Sequence, residues 1–206
     1  MFEKNGYQIV RKALSKELTS FCCNALKVRK EALERMIKED CKEAENKVNG
    51  TMGDPQAPDS FSIYSDTTIE TLSLLLKPII EKTTKKKLVP TYTYARVYKK
   101  GEVLWPHKDR HACEYSITLA LGGDKWPIYM DGTELNLNAG DLAVYKGCEI
   151  AHWRNEFKGK ECVQCFLHYN EINEKALPYD LRPYIATPVT TKKIRNLDEE
   201  YGKDSK

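Results

Sequence analysis

The residues best suited to chemistry in this chain are His107 and Asp109, followed some forty residues later by His152. In an extended segment, His107 and Asp109 lie two positions apart, so their side chains project to the same side. A second histidine on a later strand would complete two nitrogens and one carboxylate oxygen on one face of a metal ion. The other coordination positions would stay open for a cosubstrate and O2. The spacing therefore predicts a non-haem iron(II) centre with His107, Asp109 and His152 as catalytic metal ligands.

An isolated His-x-Asp motif arises often by chance, and a single histidine is more often a surface or core residue than a ligand. The surrounding pattern favours the metal interpretation. Arg96-Val97-Tyr98 and Gly101 precede the motif, and Gly140-Asp141 forms a turn before the strand that leads to His152. This order of turns and strands would bring the two histidines together.

Residues 88–170 contain three motifs: Arg96-x-Tyr98-x-x-Gly101, His107-x-Asp109, and Gly140-Asp141 before His152. Through these motifs the segment resembles the 2-oxoglutarate and Fe(II)-dependent dioxygenases, especially the prolyl 4-hydroxylase-like branch. The resemblance implies a double-stranded β-helix, the jelly roll of cupin-like proteins, buttressed by helices. It also implies Fe(II), 2-oxoglutarate and O2 as reactants, with decarboxylation to succinate coupled to hydroxylation of a second substrate.

The resemblance further implies a cation deep in the barrel for the distal carboxylate of 2-oxoglutarate. In the family this residue lies on the strand after the distal histidine. Lys160, eight residues beyond His152, is the first candidate. The rival candidates are Arg154, Lys158 and Arg96.

Three further residues are candidate cosubstrate contacts. Tyr98 matches the family position whose phenol hydrogen-bonds 2-oxoglutarate. Ser116 and Thr118 alternate with apolar residues on the strand after Asp109, which indicates one polar pocket side and one packed side. For Ser116 and Thr118, a structural role is an equal alternative.

Helices are expected in the first part of the chain, residues 1–87. Leu14 to Lys47 has no Gly or Pro and shows helical spacing of apolar residues, which predicts one long helix or two joined ones. Residues 49–60 combine Gly, Pro, Asp and Ser and predict a loop, a candidate lid. Asp66 can cap a second helix, in which Pro78 should cause a kink or an end.

Short aromatic or β-branched runs follow from Leu88 to Asn170, separated by turn residues. They cover residues 89–98, 115–121, 126–130, 141–145 and 162–169. This spacing indicates a mainly β protein with flanking helices (α+β) and a jelly-roll core. A chain of 206 residues should form a single domain, with residues 171–206 wrapping the surface and fraying near Lys206.

Composition excludes several classes of protein. Hydrophobic residues make up 41% and charged residues 31%, which is ordinary for a globular enzyme, and no apolar run is long enough to span a bilayer. The net charge of +3 and the short Lys85-Lys86-Lys87 cluster give little support for a nucleic-acid partner. Seven irregularly spaced cysteines and a start without a signal-peptide pattern favour reduced thiols in the cytoplasm.

Alternative functions remain at this point. A non-catalytic cupin-like module could bind a metal or small ligand on the same barrel. A zinc knuckle at Cys162-x-x-Cys165 is disfavoured, because residues three apart on a strand point to opposite faces. For an oxygenase, the prime substrate is open between a prolyl residue of a protein or peptide, a small metabolite and a nucleobase.

Overall fold

The computed structural model describes residues 2–187, which form three α-helices and eleven β-strands. The helices are α1 (Phe2–Asn5), α2 (Lys16–Lys38) and α3 (Thr67–Thr84). The strands are β1 (Tyr7–Val10), β2 (Thr51–Asp54), β3 (Ala57–Tyr64), β4 (Leu88–Lys99), β5 (Leu104–His107), β6 (Tyr115–Gly123), β7 (Ile128–Met130), β8 (Thr133–Leu135), β9 (Leu142–Lys146), β10 (His152–Arg154) and β11 (Glu161–Glu171). None of these helices is long and apolar enough to cross a membrane.

The strands form two antiparallel sheets. The larger sheet has the order β1-β9-β6-β11-β4-β3-β2, and the smaller one has the order β5-β10-β7-β8. Each of the five runs predicted as strands overlaps an observed strand, although the run at 126–130 is a strand only over Ile128–Met130. The mainly β class with flanking helices is therefore confirmed.

Alternation along β6 separates a dry face of the larger sheet from a polar one. Ile117 and Leu119 are fully buried in the apolar cluster that includes residues of α2 and α3. Burial of each such side chain contributes about 1.5–3 kcal/mol. Ser116 and Thr118 are equally buried, but their hydroxyls make hydrogen bonds inside the barrel. The polar face of the sheet thus lines the interior where the site lies.

The first long helix is shorter than predicted. Ser15 caps α2 by accepting a hydrogen bond from the Leu18 N–H, and the helix ends at Lys38 rather than continuing to Lys47. Asn46 accepts backbone hydrogen bonds from the two residues that follow Lys47. Such local side-chain hydrogen bonds compete with the helical pattern, which is why helix formers there adopt turns.

Residues 49–60 form a β-hairpin for the most part, which corrects the predicted loop. Strands β2 and β3 pair with each other, and β3 pairs with β4, so the hairpin extends the larger sheet. The Asp54 carboxylate accepts hydrogen bonds from the backbone N–H groups of Gln56 and Ala57, which fixes the turn. With β1, these strands bring part of residues 1–87 into the larger sheet, although the three helices hold more of this region than the strands do.

Helix α3 runs through Pro78, so the regular helix does not end there, and the predicted kink stays a prediction. Pro78 is exposed, so its missing N–H removes one helical hydrogen bond at the solvent side. Asp66 caps the helix as predicted, accepting from the N–H groups of Thr68 and Ile69. The cap satisfies two of the unpaired donors at the helix start.

After β11 the chain returns across the barrel mouth. Arg182 is buried against Glu70, with Nη2 2.6 Å from Oε1. A short 3-10 segment, Pro178–Leu181, precedes it and carries Asp180 towards Arg110. The described part of the tail therefore wraps the surface, and the predicted fraying near Lys206 lies outside the described residues.

Candidate metal centre

Two neighbouring strands bring the predicted ligands together. Strand β10 pairs with β5 so that His152 stands opposite His107, and the two ring centroids are 4.3 Å apart. Asp109 follows β5, and its Oδ1 lies 3.7 Å from His107 Nε2 and 3.5 Å from His152 Nε2. One ligand atom from each of the three residues lies within 4.8 Å of the others. This arrangement suits a facial set of two imidazoles and one carboxylate.

Backbone carbonyl groups orient both imidazole rings. His107 Nδ1 lies 2.8 Å from the Trp105 carbonyl oxygen, and His152 Nδ1 lies 3.0 Å from that of Ile150. With the proton on Nδ1, each ring donates to its carbonyl and directs the Nε2 lone pair to the common point, as metal-binding histidines do. Burial and the His152 ring both lower the pKa of His107, which favours the neutral imidazole that binds metals.

The Asp109 carboxylate is held in place on its other side. Ser116 Oγ donates to Asp109 Oδ2 over 2.6 Å. Burial alone would raise the pKa of Asp109, but the neighbouring His152 and His168 rings and the hydrogen bond from Ser116 lower that pKa to about 2. Gly147 packs directly against the carboxylate, since a Cβ there would lie 2.6 Å from Oδ2. Asp109 is therefore an ionised carboxylate in a fixed position.

A cavity of about 500 Å³ opens in front of the three predicted ligands, within the usual range for small-ligand sites. The hairpin turn at Asp54–Gln56 forms part of its wall, together with aromatic side chains. The aromatic and histidine side chains of the wall are Tyr64, Tyr92, Tyr94, Tyr145, Phe166 and His168. The turn of the segment predicted as a candidate lid thus forms part of the cavity wall.

Two buried arginines lie near this cavity, and their partners differ. Arg96 lines the cavity and forms a double contact with Asp54, at 2.8 and 2.9 Å. Arg154 lies behind the wall and is 1% exposed. It donates to the Trp126 carbonyl, to Thr118 Oγ1 and weakly to Gln164 Oε1, and its Nε has no partner among residues 2–187.

Arg154 is therefore a buried cation without a carboxylate partner in the described chain. Burial lowers the pKa of its guanidinium, because a charge in the interior is costly unless an opposite charge is near. The other two buried arginines, Arg96 and Arg182, are each paired with an acid. An uncompensated guanidinium two residues beyond His152 on the same strand is suited to bind an anion.

The two lysine candidates lie elsewhere. Lys160 is exposed in the turn before β11, where its backbone N–H donates to Asp124. Lys158 is exposed as well and pairs with Glu156. Neither lysine lines the cavity in front of the ligands.

The remaining predicted contacts are buried in the barrel interior. Tyr98 is 1% exposed, and its hydroxyl accepts a hydrogen bond from Arg96 Nη1. Thr118 contacts Arg154, whereas Ser116 contacts Asp109. Ser116 therefore supports a predicted metal ligand, and Thr118 and Tyr98 lie on the side of the two arginines.

Sequence reasoning missed several residues of the site. Tyr145 is buried with its hydroxyl 3.5 Å from His152 Nε2, and Gln164 lies beside Arg154. Cys113 and His168 line the cavity next to Asp109. The alternation on β11 that places Gln164 and His168 on one face could have indicated both residues, but nothing local marks Cys113.

Comparison with known proteins identifies the fold. Searches against protein-family models and against curated sequences return no match. The structural neighbours are 2-oxoglutarate and Fe(II)-dependent oxygenases with a jelly-roll fold, including prolyl hydroxylases. The predicted jelly-roll core is therefore confirmed.

Three of these neighbours illustrate the range. Viral collagen prolyl hydroxylase vCPH from Paramecium Bursaria Chlorella virus-1, in a 2-oxoglutarate complex, has a TM-score of 0.56 at 12% identity, over 82% of this chain and 98% of its own. HygX from Streptomyces hygroscopicus, with nickel and 2-oxoglutarate bound, has a TM-score of 0.56 at 13% identity, over 94% and 96%. The epimerase SnoN, with Fe3+, alpha ketoglutarate and nogalamycin RO, has a TM-score of 0.61 at 11% identity, over 82% and 80%.

Proposed function

We propose that this chain is a non-haem Fe(II) and 2-oxoglutarate-dependent dioxygenase that hydroxylates a second substrate. The observation that carries the proposal is the convergence of His107 Nε2, His152 Nε2 and Asp109 Oδ1 at the mouth of a cavity. The uncompensated guanidinium of Arg154 supports the choice of a dicarboxylate as cosubstrate. The fold supports it too, because its neighbours bind iron or nickel with 2-oxoglutarate.

The residues present fit the metal. Two neutral imidazoles and one carboxylate are a typical ligand set for non-haem Fe(II), and three protein ligands leave the other positions open. When bound, the iron and 2-oxoglutarate supply the oxidation of a C–H bond, with O2 consumed and succinate and CO2 formed. The carbonyl groups of Trp105 and Ile150 hold the rings, so the ligand geometry does not depend on the metal alone.

The residues also fit the cosubstrate. His152 and Arg154 are two positions apart on β10, a rise of about 6.6 Å, which is comparable to the length of a five-carbon dicarboxylate. We assign the distal carboxylate to Arg154, assisted by Thr118, because Arg96 is already paired with Asp54. The Tyr98 hydroxyl accepts from Arg96 and keeps its own proton to donate to an oxygen of the cosubstrate. Lys160 becomes the less favoured candidate.

The cavity supports a prime substrate of modest size that approaches past aromatic rings. Tyr64 and Tyr92 stack with centroids 5.1 Å apart, and Arg110 lies over the Tyr92 ring. We propose hydroxylation of a prolyl residue as the first activity to test, since prolyl hydroxylases are among the structural neighbours. A small metabolite is the second, since other neighbours act on small molecules.

The test is an anaerobic titration of metal-free protein with Fe(II) and then 2-oxoglutarate. We expect the weak visible charge-transfer band of the iron chelate in the wild type and none in Asp109→Ala. Succinate formation on admission of O2 would then establish turnover. Metal binding without the band would instead favour a non-catalytic cupin-like binding module.

A further inference from the structure

A second group of metal-binding side chains shares Asp109 with the first. Ligand atoms of Asp109, Cys113 and His168 all lie within 4.8 Å of one another. Asp109 Oδ1 is directed at the two histidines of the first group, whereas Oδ2 faces Ser116, which also contacts His168. The two oxygens of one carboxylate thus face two different sets of ligands.

The members of this second group are buried but still reach the cavity. Cys113 is 2% exposed and His168 is 6% exposed, and both line the cavity wall together with Asp109. By contrast, Cys22 and Cys165 lie in the apolar cluster beneath the larger sheet, away from the cavity. A thiol, an imidazole and a carboxylate at an accessible wall are the side chains that bind Zn(II) and similar ions.

Neighbouring hydrogen bonds hold the imidazole and the thiol in place. Ser116 Oγ lies 3.0 Å from His168 Nδ1. Because the Ser116 hydroxyl donates its proton to Asp109, it accepts from Nδ1–H, and the other ring nitrogen of His168 keeps a lone pair for an ion. The Tyr92 hydroxyl lies 3.1 Å from Cys113 Sγ, and the Tyr92 ring packs at a tilt of 35° against His168, with ring centroids 4.6 Å apart. The group resembles a ligand set with its outer contacts already formed.

We propose that Cys113, His168 and Asp109 form a second metal position, selective for a thiophilic divalent ion such as Zn(II). Three protein ligands leave the fourth tetrahedral position open towards the cavity. The Cys113 thiol loses its proton to solvent when the ion binds, so binding releases one proton. Asp109 would bridge the two positions through its two oxygens, as carboxylates do in two-metal sites.

This inference goes beyond the proposed oxygenase activity and does not require it. An ion in the second position would lie against the cavity wall and bind the second carboxylate oxygen of Asp109. It would therefore reduce the space and the charge available to a substrate in front of the first position. Zinc would act through Cys113 and His168, which are not ligands of the first position, and through Asp109, which both positions share.

The test uses Co(II) on the metal-free full-length protein without 2-oxoglutarate, because cobalt reports thiolate ligation by a sulfur-to-metal charge-transfer band. We expect two equivalents to bind and the band to develop with one of them. The band should be absent in Cys113→Ser and present in Cys148→Ser, a thiol near the same mouth but outside the group. It should also be present in His107→Ala, which removes only a ligand of the first position.

A thiolate band that persists in Cys113→Ser, or no band in the folded wild type, would overturn the proposal. If Cys113→Ser fails to give the native circular dichroism spectrum, His168→Gln provides the second variant. It should weaken the binding of the thiolate-linked equivalent at least tenfold. Unchanged binding in His168→Gln would equally overturn it. Loss of iron-dependent turnover in His107→Ala with the band retained separates this site from the proposed function.

Discussion

His152 and Arg154 flank Trp153 on strand β10, and both are buried while Trp153 stacks on Tyr129 at the outer side. Alternation along the strand therefore directs one imidazole and one guanidinium into the same barrel interior. The imidazole belongs to the predicted ligand set, and the guanidinium has no acidic partner in residues 2–187. This pair connects the predicted metal ligands to the candidate anion site.

Replacement of Arg154 should weaken 2-oxoglutarate binding. Arg154→Gln removes the charge that we assign to the distal carboxylate, a loss of about 2 kcal/mol or more, which is roughly 30-fold in affinity. The measurement is the KM for 2-oxoglutarate and the Kd from the chelate band. Lys160→Ala is the matched control and should leave both values near wild type. The reverse pattern would return the assignment to Lys160.

Replacement of Arg154 by an apolar side chain should not destabilise the protein without cosubstrate. The buried Arg154 charge has no carboxylate partner, and removing an uncompensated charge from the interior is neutral or favourable. We expect Arg154→Met to unfold in urea at or above the wild-type midpoint. Saturating 2-oxoglutarate with a non-redox metal should raise the Tm of wild type but not that of the variant. A large loss of stability would indicate a structural role for Arg154.

Asp109 should be essential for the metal. Asp109→Ala removes the only carboxylate of the His107–His152 group, so Fe(II) affinity should fall by at least a hundredfold and turnover should be lost. Equilibrium dialysis under anaerobic conditions measures the affinity. Lys108→Ala, next to Asp109 but outside the ligand group, is the control and should bind Fe(II) as wild type does. Full turnover in Asp109→Ala would exclude this carboxylate from the site.

Gly147 should be intolerant of a side chain. A Cβ at this position would lie 2.2 Å from the Cys113 carbonyl oxygen and 2.6 Å from Asp109 Oδ2. Gly147→Ala must displace the carboxylate, and metal affinity should fall by about tenfold or more. Gly132→Ala is the control, because a Cβ there meets nothing within 4 Å although its φ of +86° is strained. The control should lose about 1 kcal/mol of stability and keep its metal affinity.

The Asp54–Arg96 pair should make the free energy of unfolding depend on pH in the acidic range. Burial would raise the pKa of Asp54, but the Arg96 guanidinium lowers it below its usual value of about 3.9. A depressed folded-state pKa gives stability that is present above about pH 4 and is lost as pH falls through the folded value. Asp54→Asn leaves Arg96 buried without its acid and should cost about 3 kcal/mol at pH 7.

Urea unfolding of wild type and Asp54→Asn at several pH values measures this effect. We expect the difference in unfolding free energy to be full at pH 7 and to shrink below about pH 4, as Asp54 becomes protonated in the wild type. Asp59→Asn, on the same hairpin, is the control and should unfold as wild type does. A difference that does not change with pH would show that the pair contributes through packing alone.

The amino-acid sequence by itself determined the predicted ligand set and the five strand runs between Leu88 and Asn170. His107 and Asp109 are close because an extended chain repeats every two residues, and Ser116 and Ile117 take opposite faces for the same reason. The Asp66 cap is equally local, since its side chain reaches N–H groups two and three residues away. Features set by neighbours along the chain were therefore predictable.

Only the tertiary structure decided which buried arginine lacks an acidic partner and which side chains surround Asp109. Arg96 is neutralised by Asp54, forty-two residues away, from a hairpin whose Gly and Pro content predicted a loop. Arg154 is left without an acid, a property that depends on every strand packed around it. Cys113 and His168 meet Asp109 because the turn before β6 and the strand β11 converge there. Partners of this kind are chosen by strand pairing over long separations, and no local periodicity encodes them.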